Sequence, residues 1–160
     1  GVKMAWDTIM TQEMSPPSLE DHSYEDIKVG DSFSFRRFIA DEDVRRFAAL
    51  TGDFNPLHTN PAYAKDTEFG KPLVHGMLVG GLFSALVGMM CPGKRALYLS
   101  QTLSFRRPLY PDSWVIVTGT VVTKSDVMKV IELRTVVVVE GTHAVIVDGV
   151  AQVRVRDEKS

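Results

Sequence analysis

The stretch HGMLVGGLFSALVGMM, residues His75–Met90, has no charged side chain after its first residue. A helix that is apolar on every side belongs in the interior of a protein or in a membrane. A bilayer requires about 20 apolar residues in a row, whereas Lys71 precedes this stretch closely and Lys94 and Arg95 follow it. The stretch is therefore predicted to be one long buried core helix.

Small residues recur along this predicted helix at every fourth position, as Gly76, Gly80 and Ser84. That spacing keeps them within about 80° of one another around the helix axis, although each interior glycine costs about 1 kcal/mol relative to alanine. The strip would allow another backbone to approach closely. Two explanations fit it: tight packing of the helix on a sheet, or a reactive group that lies against this face.

Length and composition limit the possible functions. A chain of 160 residues is long enough for one domain with a proper core. A net charge of −2 without any basic run argues against nucleic acid or a membrane surface as a partner. Cys91 is the single cysteine, which excludes an internal disulfide and favours a reducing compartment. We therefore expect an intracellular protein, cytoplasmic, or mitochondrial if a targeting peptide was removed before Gly1.

The order of predicted elements indicates an α+β fold. Residues 1–24 are predicted to be a flexible N-terminal arm and residues 25–160 a single domain, with a helix from Asp41 that Gly52 stops. The apolar run Val136–Val139 predicts a central strand covered on both faces. Alternation and β-branched residues predict five strands, namely Ser32–Ile39, Ala96–Arg106, Ser113–Thr123, Lys129–Glu140 and Ala144–Arg156. A curled antiparallel sheet of about five strands wrapped around one long helix is the hot-dog fold.

The candidate chemistry is concentrated in GDFNPLH, which places Asp53 and His58 five residues apart. In a helix this spacing would separate them by about 140°, but Pro56 argues against continuation of the helix, so a loop must set their geometry. A carboxylate and an imidazole held together can activate water as a general base. Alternatively, Asp53 is a turn or capping residue and His58 is a structural histidine. Spacing alone leaves both readings open.

The pair His75-Gly76 adds a second element at the start of the predicted core helix. Backbone N–H groups of a first helical turn are unpaired and suit a developing oxyanion, and Gly76 would allow a carbonyl to approach. Metal binding is a competing use of His58, His75, Asp53 and His143, but no tight histidine spacing supports it, so no metal is expected. The sequence contains no phosphate-binding or dinucleotide-binding motif, so no cofactor is expected. By itself, Ser84 is more typical of a hydroxyl bonded to its own helix.

A family resemblance rests on three motifs. The segment FAALTGDFNPLH (Phe47–His58), followed by AYA (Ala62–Ala64) and VHGM (Val74–Met77), closely resembles the R-specific enoyl-CoA hydratases. These enzymes are the MaoC-like, or hydratase 2, branch of the hot-dog superfamily. The similarity extends from about Ser32 to Arg156.

The resemblance implies a hydro-lyase that interconverts a trans-2-enoyl thioester and an (R)-3-hydroxyacyl thioester in fatty-acid metabolism. The carrier would be coenzyme A or acyl carrier protein. By the same resemblance, Asp53 and His58 would bind and activate the water, and the Gly76 N–H would polarise the thioester carbonyl. Ser84 would lie near the aspartate, so that the small-residue strip faces the segment with Asp53. We expect Asn55 to orient the loop and not to react. No cofactor is implied, and a homodimer joined at the sheet edges is expected.

Two other classes of function stay open from the sequence. A hot-dog thioesterase would hydrolyse the same kind of thioester, and release of free thiol would distinguish it. A non-catalytic acyl-thioester binding protein would not require both Asp53 and His58. The carrier and the length of the acyl chain are not determined by these motifs.

Overall fold

A computed structural model of the chain describes residues 16–158. The strands are β1 (Ser32–Ile39), β2 (Ala96–Gln101), β3 (Ser104–Phe105), β4 (Ser113–Ser125), β5 (Val130–Val139) and β6 (Val145–Val155). The helices are α1 (Asp41–Thr51), α2 (Pro56–Thr59), α3 (Pro61–Lys65) and α4 (Gly76–Ala85), and a π-helical turn (Leu86–Met90) continues α4.

One antiparallel sheet contains all six strands, in the order β1-β4-β5-β6-β2, with the short β3 paired to β6 beside this path. The sheet is curled but not closed, so β1 and β2 are its two edges. Helix α4 and its π-helical turn contact the concave side of β4, β5 and β6. The predicted α+β hot-dog arrangement is confirmed.

Apolar side chains of α4 and of the strands beneath it form the main core. Val79, Phe83 and Leu86 from the helix pack with Val115 and Val117 of β4, and all five are at most 1% exposed. Each such side chain contributes roughly 1.5–3 kcal/mol when it is fully buried. The core therefore fixes the helix firmly on the sheet.

Close approach of helix and sheet depends on one position in β4. A Cβ atom at Gly119 would lie 2.6 Å from Cδ2 of Leu86, well inside ordinary contact distance. Glycine at this position lets Leu86 enter the space that a side chain would otherwise fill.

The expectation that the core helix is buried on every side is wrong for one of its faces. Met77 is 58% exposed, and Gly81 and Ser84 are exposed as well. The sheet covers only the opposite side of α4, so these residues point away from the core. The apolar composition of this helix therefore exceeds what the core of one chain uses.

The prediction for Val136–Val139 is right about position and wrong about burial. β5 is central in the sheet, between β4 and β6. Val137 is fully buried, but Val136 and Val138 are partly exposed. Only the concave face of the sheet carries the helix, so the four valines alternate between core and solvent.

The predicted strand Ala96–Arg106 is divided into β2 and β3 at Thr102 and Leu103. Thr102 is held on β6 by two hydrogen bonds with Val150: its N–H donates to the Val150 carbonyl (3.0 Å), and its hydroxyl accepts from the Val150 N–H (2.8 Å). The Thr102 carbonyl fills the space beside Gly149, where a Cβ atom would lie 1.8 Å from its oxygen. This contact with β6 interrupts the regular pairing.

The predicted flexible arm, residues 1–24, requires a correction in its second half; residues 1–15 lie outside the described residues. Glu20 donates its N–H to the Met89 carbonyl (2.7 Å) and accepts from the Lys94 N–H (2.9 Å). Tyr24 is only 5% exposed, and its hydroxyl donates to Asp126 (2.6 Å). Residues from Glu20 onward are therefore part of the folded domain. None of the helices within residues 16–158 is long and apolar enough to cross a membrane.

Candidate active site

The end of helix α1 places Asp53. Gly52 adopts a left-handed conformation (φ 83°), and its N–H donates to the Ala48 carbonyl at 2.8 Å, as predicted for the residue that stops the helix. One carboxylate oxygen of Asp53, Oδ1, accepts the N–H of Asn55 at 3.1 Å. The Asp53 side chain remains 50% exposed. The turn therefore uses one oxygen of this carboxylate and leaves Oδ2 available.

His58 lies on a short helix, where a loop was expected. Pro56 does not continue α1, but it occupies the first position of α2, where proline is favoured because its missing N–H would be unpaired there. The Asn55 side chain caps α2 by accepting the Leu57 N–H at 2.9 Å. Asn55 thus orders the turn between Asp53 and His58.

The ring of His58 has a defined tautomer. Its Nδ1 lies 2.8 Å from the Leu73 carbonyl oxygen, which can only accept a hydrogen bond. Nδ1 therefore carries the proton, and Nε2 of the neutral ring has a free lone pair. Nε2 is the nitrogen that can take a proton from water.

A second imidazole, His75, packs directly against this pair and is only 2% exposed. Its Nε2 donates to the backbone carbonyl of Asp53 at 3.1 Å, and its ring stacks on His58 with centroids 4.0 Å apart. Burial is the main cause that lowers the pKa of His75; proximity to His58 lowers it further, against the opposite effect of the Asp53 carbonyl. His75 is thus held neutral.

Asp53, His58 and His75 each offer one ligand atom, and these atoms lie within 4.8 Å of one another. The structure thus brings together residues whose spacing in the sequence did not indicate a metal site. The geometry fits a metal ion poorly, since the two rings are stacked at 27° and their lone pairs point along nearly parallel planes. Of the four ring nitrogens, Nε2 of His75 is already bonded to the Asp53 carbonyl and its Nδ1 is buried, so His75 has no accessible nitrogen for an ion. The cluster suits proton transfer better than coordination.

Gly76 begins α4, and its N–H has no hydrogen-bond acceptor within residues 16–158. It lines a pocket of about 410 Å³ together with His58. The other walls of this pocket are mainly apolar, with two arginines, and include Phe69, Phe105, Arg106, Arg107, Leu109 and Val147. His58 and Gly76 therefore line the same apolar cavity, whereas Asp53 is not among its lining residues.

The two glycines of the small-residue strip face the segment around β3, where the segment with Asp53 was expected. A Cβ atom at Gly76 would lie 2.6 Å from the Phe105 ring, and one at Gly80 would lie 2.9 Å from Leu103. Ser84 is exposed, and no hydrogen bond joins it to Asp53 in the part of the chain that the structure describes. The two glycines allow α4 to approach the segment around β3, so the packing explanation holds for them.

Two contributions to the site are not evident from the sequence. In the sequence, the only role indicated for the His75 side chain is that of a metal ligand. The sequence indicates no role for the Leu73 carbonyl. One feature of the sequence could have indicated a buried imidazole: His75 directly precedes a predicted helix of wholly apolar residues. No sequence pattern signals a backbone carbonyl as the partner of a histidine 15 residues away.

Comparisons with known proteins identify the family of this chain. The model of the MaoC-like domain matches residues 26–143. The chain belongs to the MaoC-like family. An (R)-specific enoyl-CoA hydratase of Rhodospirillum rubrum is 39% identical to this MaoC-like chain over 142 residues, which are 89% of the chain and 97% of that relative. The enzyme of the same name from Aeromonas caviae is 46% identical over 88 residues, 55% of the chain and 66% of its own length.

A solved structure extends the likeness to the fold. The unliganded R-hydratase from Pseudomonas aeruginosa superposes on this MaoC-like chain with a TM-score of 0.82 at 34% identity. The match covers 88% of this chain and 89% of that structure. The likeness therefore extends over most of the fold.

Proposed function

We propose that this MaoC-like protein catalyses the reversible hydration of a trans-2-enoyl thioester to the (R)-3-hydroxyacyl thioester. It is a hydro-lyase of fatty-acid metabolism. One observation carries the proposal: a carboxylate oxygen of Asp53 lies within 4.8 Å of a ring nitrogen of His58, and His58 lines the same pocket as Gly76, whose N–H has no acceptor within residues 16–158. This combination supplies a base for water and a donor for a thioester oxygen.

In this proposal the thioester carbonyl accepts a hydrogen bond from the Gly76 N–H. Water held between Asp53 and His58 loses a proton to the pair while its oxygen forms a bond to C3. The π electrons of the C2–C3 bond then move toward the carbonyl, and the enolate oxygen meets the fixed dipole at the start of α4. The enolate collapses as C2 takes up the proton from the pair. Dehydration follows the same steps in reverse.

The remaining walls of the pocket support a thioester of a phosphate-bearing carrier. Its apolar side chains suit an acyl chain, and two arginines are exposed at the same cavity: Arg107, and Arg106, whose Nε donates to Asp148 at 3.0 Å. A guanidinium group matches phosphate geometry well, and both coenzyme A and acyl carrier protein present a phosphate on their pantetheine arm. The two carriers share this chemistry, and direct comparison of substrates distinguishes them.

The experiment is an assay of the purified protein with crotonyl-CoA, longer enoyl-CoAs and enoyl-carrier-protein thioesters, in the presence of a chelator. Loss of the enoyl-thioester absorbance, with an R-configured 3-hydroxyacyl product and without free thiol, is the expected result. Release of free thiol instead would assign the protein to the thioesterases. Binding of acyl thioesters without turnover would make it a binding protein.

We also propose that the working unit is a homodimer joined at the β2 edge. Leu97, Tyr98 and Leu99 of this edge strand are 43%, 36% and 51% exposed. An apolar edge strand invites pairing with another chain. The exposed side of α4, with Met77 and Ser84, also leaves apolar and small residues for a partner to cover.

An intracellular, reducing compartment is part of the same proposal. Cys91 is the single cysteine, it is buried, and burial raises the pKa of its thiol to about 12. A single buried thiol cannot form a disulfide within the chain, so an oxidising compartment would not stabilise the fold in this way. Fluorescence microscopy of the tagged protein in its own cells distinguishes cytoplasm from mitochondria.

A further inference from the structure

One side chain, His75, connects three parts of the site that come from different segments. Its Nε2–H binds the backbone carbonyl of Asp53 (3.1 Å), its ring stacks on His58 (centroids 4.0 Å apart), and its own backbone immediately precedes the Gly76 N–H. Two residues earlier, Leu73 accepts the Nδ1–H of His58 at 2.8 Å. The segment from Leu73 to Gly76 therefore contacts every group assigned to the reaction.

The protonation state of His75 follows from its partners. A carbonyl oxygen faces Nε2, so Nε2 carries the proton, and a neutral ring then leaves Nδ1 as an acceptor. Nδ1 is buried and has no hydrogen-bond partner within residues 16–158. Asp53 Oδ2 lies 3.9 Å from Nε2, beyond hydrogen-bond distance. Nε2 of His75 is thus hydrogen-bonded, and Nδ1 is not.

An unsatisfied nitrogen makes histidine a poor choice for stability at this position. A buried acceptor without a donor carries a desolvation cost that a ring of similar shape, such as phenylalanine, would not have. Phe47 already contacts the His75 ring, with centroids 4.8 Å apart, so an aromatic environment exists. The benefit of an imidazole here is its one hydrogen bond, and that bond ends on Asp53.

We propose that His75 is a positioning residue that sets Asp53 and His58 at their working distance from each other and from the Gly76 amide. Its hydrogen bond holds the backbone of Asp53, and its flat neutral ring holds the plane of His58. It transfers no proton itself. The proposal rests on the proposed function, because the positioned groups are those assigned to hydration.

Two substitutions test this role. His75→Phe keeps the ring and its packing but removes the donor to the Asp53 carbonyl, whereas His75→Gln retains an N–H that can reach it. For His75→Phe we expect kcat to fall about tenfold, with KM changed less than about twofold and a melting temperature equal to or above that of the original protein. His75→Gln should recover most of the lost kcat. His143→Gln, at an exposed histidine between β5 and β6, serves as the matched control.

The results separate positioning from simple packing. If His75→Phe retains full kcat, or if kcat falls only in step with the melting temperature and His75→Gln gives no recovery, the positioning role is overturned. Nitrogen-15 NMR of the histidine rings gives a readout that does not depend on any reaction. A proton on Nδ1 of His75 would refute the geometry, whereas absence of enoyl-thioester hydration in the original protein would refute only the proposed function.

Discussion

At the scale of single residues, the hydrogen-bond partners of two imidazoles determine what the site can do. The Leu73 carbonyl fixes the proton of His58 on Nδ1, and the Asp53 carbonyl fixes that of His75 on Nε2. His58 is left with an open lone pair beside the pocket, and His75 is left neutral and buried. Two side chains of the same type thereby take different parts, one as a base and one as a support.

The first prediction concerns the reacting pair. Asp53→Asn and His58→Ala should each lower kcat by about 10²–10⁴-fold, because each removes one half of the general acid–base pair. Both side chains lie outside the apolar core, so the melting temperature should stay close to that of the original protein. Since the two residues share one water, the double variant should be little slower than either single one.

Steady-state kinetics of the three variants check this prediction. Asp66→Asn is a suitable control, since it makes the same chemical change at an exposed aspartate at the end of α3. Near-normal turnover in either single variant would remove the pair from the mechanism.

The second prediction follows from the lowered pKa of His75. The unfolded chain takes up a proton on this ring as the pH falls below about 6.5, whereas the folded chain does so only at lower pH. The folded state therefore loses stability relative to the unfolded state as the pH decreases through this range. Asp53 and His58 are the titratable groups that face the ring.

Urea unfolding between pH 8 and pH 5 measures the effect. The unfolding midpoint of the original protein should decrease more steeply below pH 6.5 than that of His75→Gln, which has no titratable group at this position. Parallel curves for the two proteins would show that the folded and unfolded states bind the proton equally.

At the scale of secondary structure, local patterns predict much and tertiary contacts decide the rest. Alternation of apolar and polar residues predicts strand Ser32–Ile39, and the structure confirms it. The end of α1 at Gly52 depends on one left-handed residue and is confirmed as well. The division between β2 and β3 depends on Thr102 bonding to β6, a contact far away in the chain. A pattern of neighbouring residues cannot include such a contact.

The candidate site shows the same division. Residue type and order make Asp53, His58 and Gly76 candidates, but their roles follow only from the family resemblance. The support from His75 cannot be predicted, since it depends on a ring meeting a backbone carbonyl 22 residues earlier. The place of Ser84 near Asp53 stays a prediction, because it rests on the helical strip and the family resemblance.

The third prediction concerns the contact between α4 and the sheet. Gly119→Val should lower the free energy of unfolding by about 1–3 kcal/mol, because the new side chain occupies the space of Leu86 and forces the helix and its turn outward. Denaturant unfolding measures the change. Thr118→Val, at the neighbouring and partly exposed position of β4, is the control and should have little effect. Equal stability of the two variants would mean that Leu86 can move aside without cost.

At the scale of the whole molecule, the fourth prediction concerns assembly. Light scattering at micromolar concentration should give twice the 17.8 kDa mass of one chain. Leu99→Lys should reduce that mass toward one chain, because it places a charge on the apolar edge of the sheet. Val127→Lys adds the same charge at a residue that is 92% exposed between β4 and β5 and should leave the mass unchanged. A fully active species with the mass of one chain would exclude the dimer.

The groups assigned to the reaction all lie within one uninterrupted part of the chain, residues 53–76, and the sheet supplies only walls around them. Residues 53–76 can therefore be exchanged together in evolution. One short replacement would exchange the chemistry and leave the hydrogen bonds between the strands intact. Lineages that share this curled sheet can diverge in reaction while they keep their shape, so ancestry of the sheet and ancestry of the activity need not coincide.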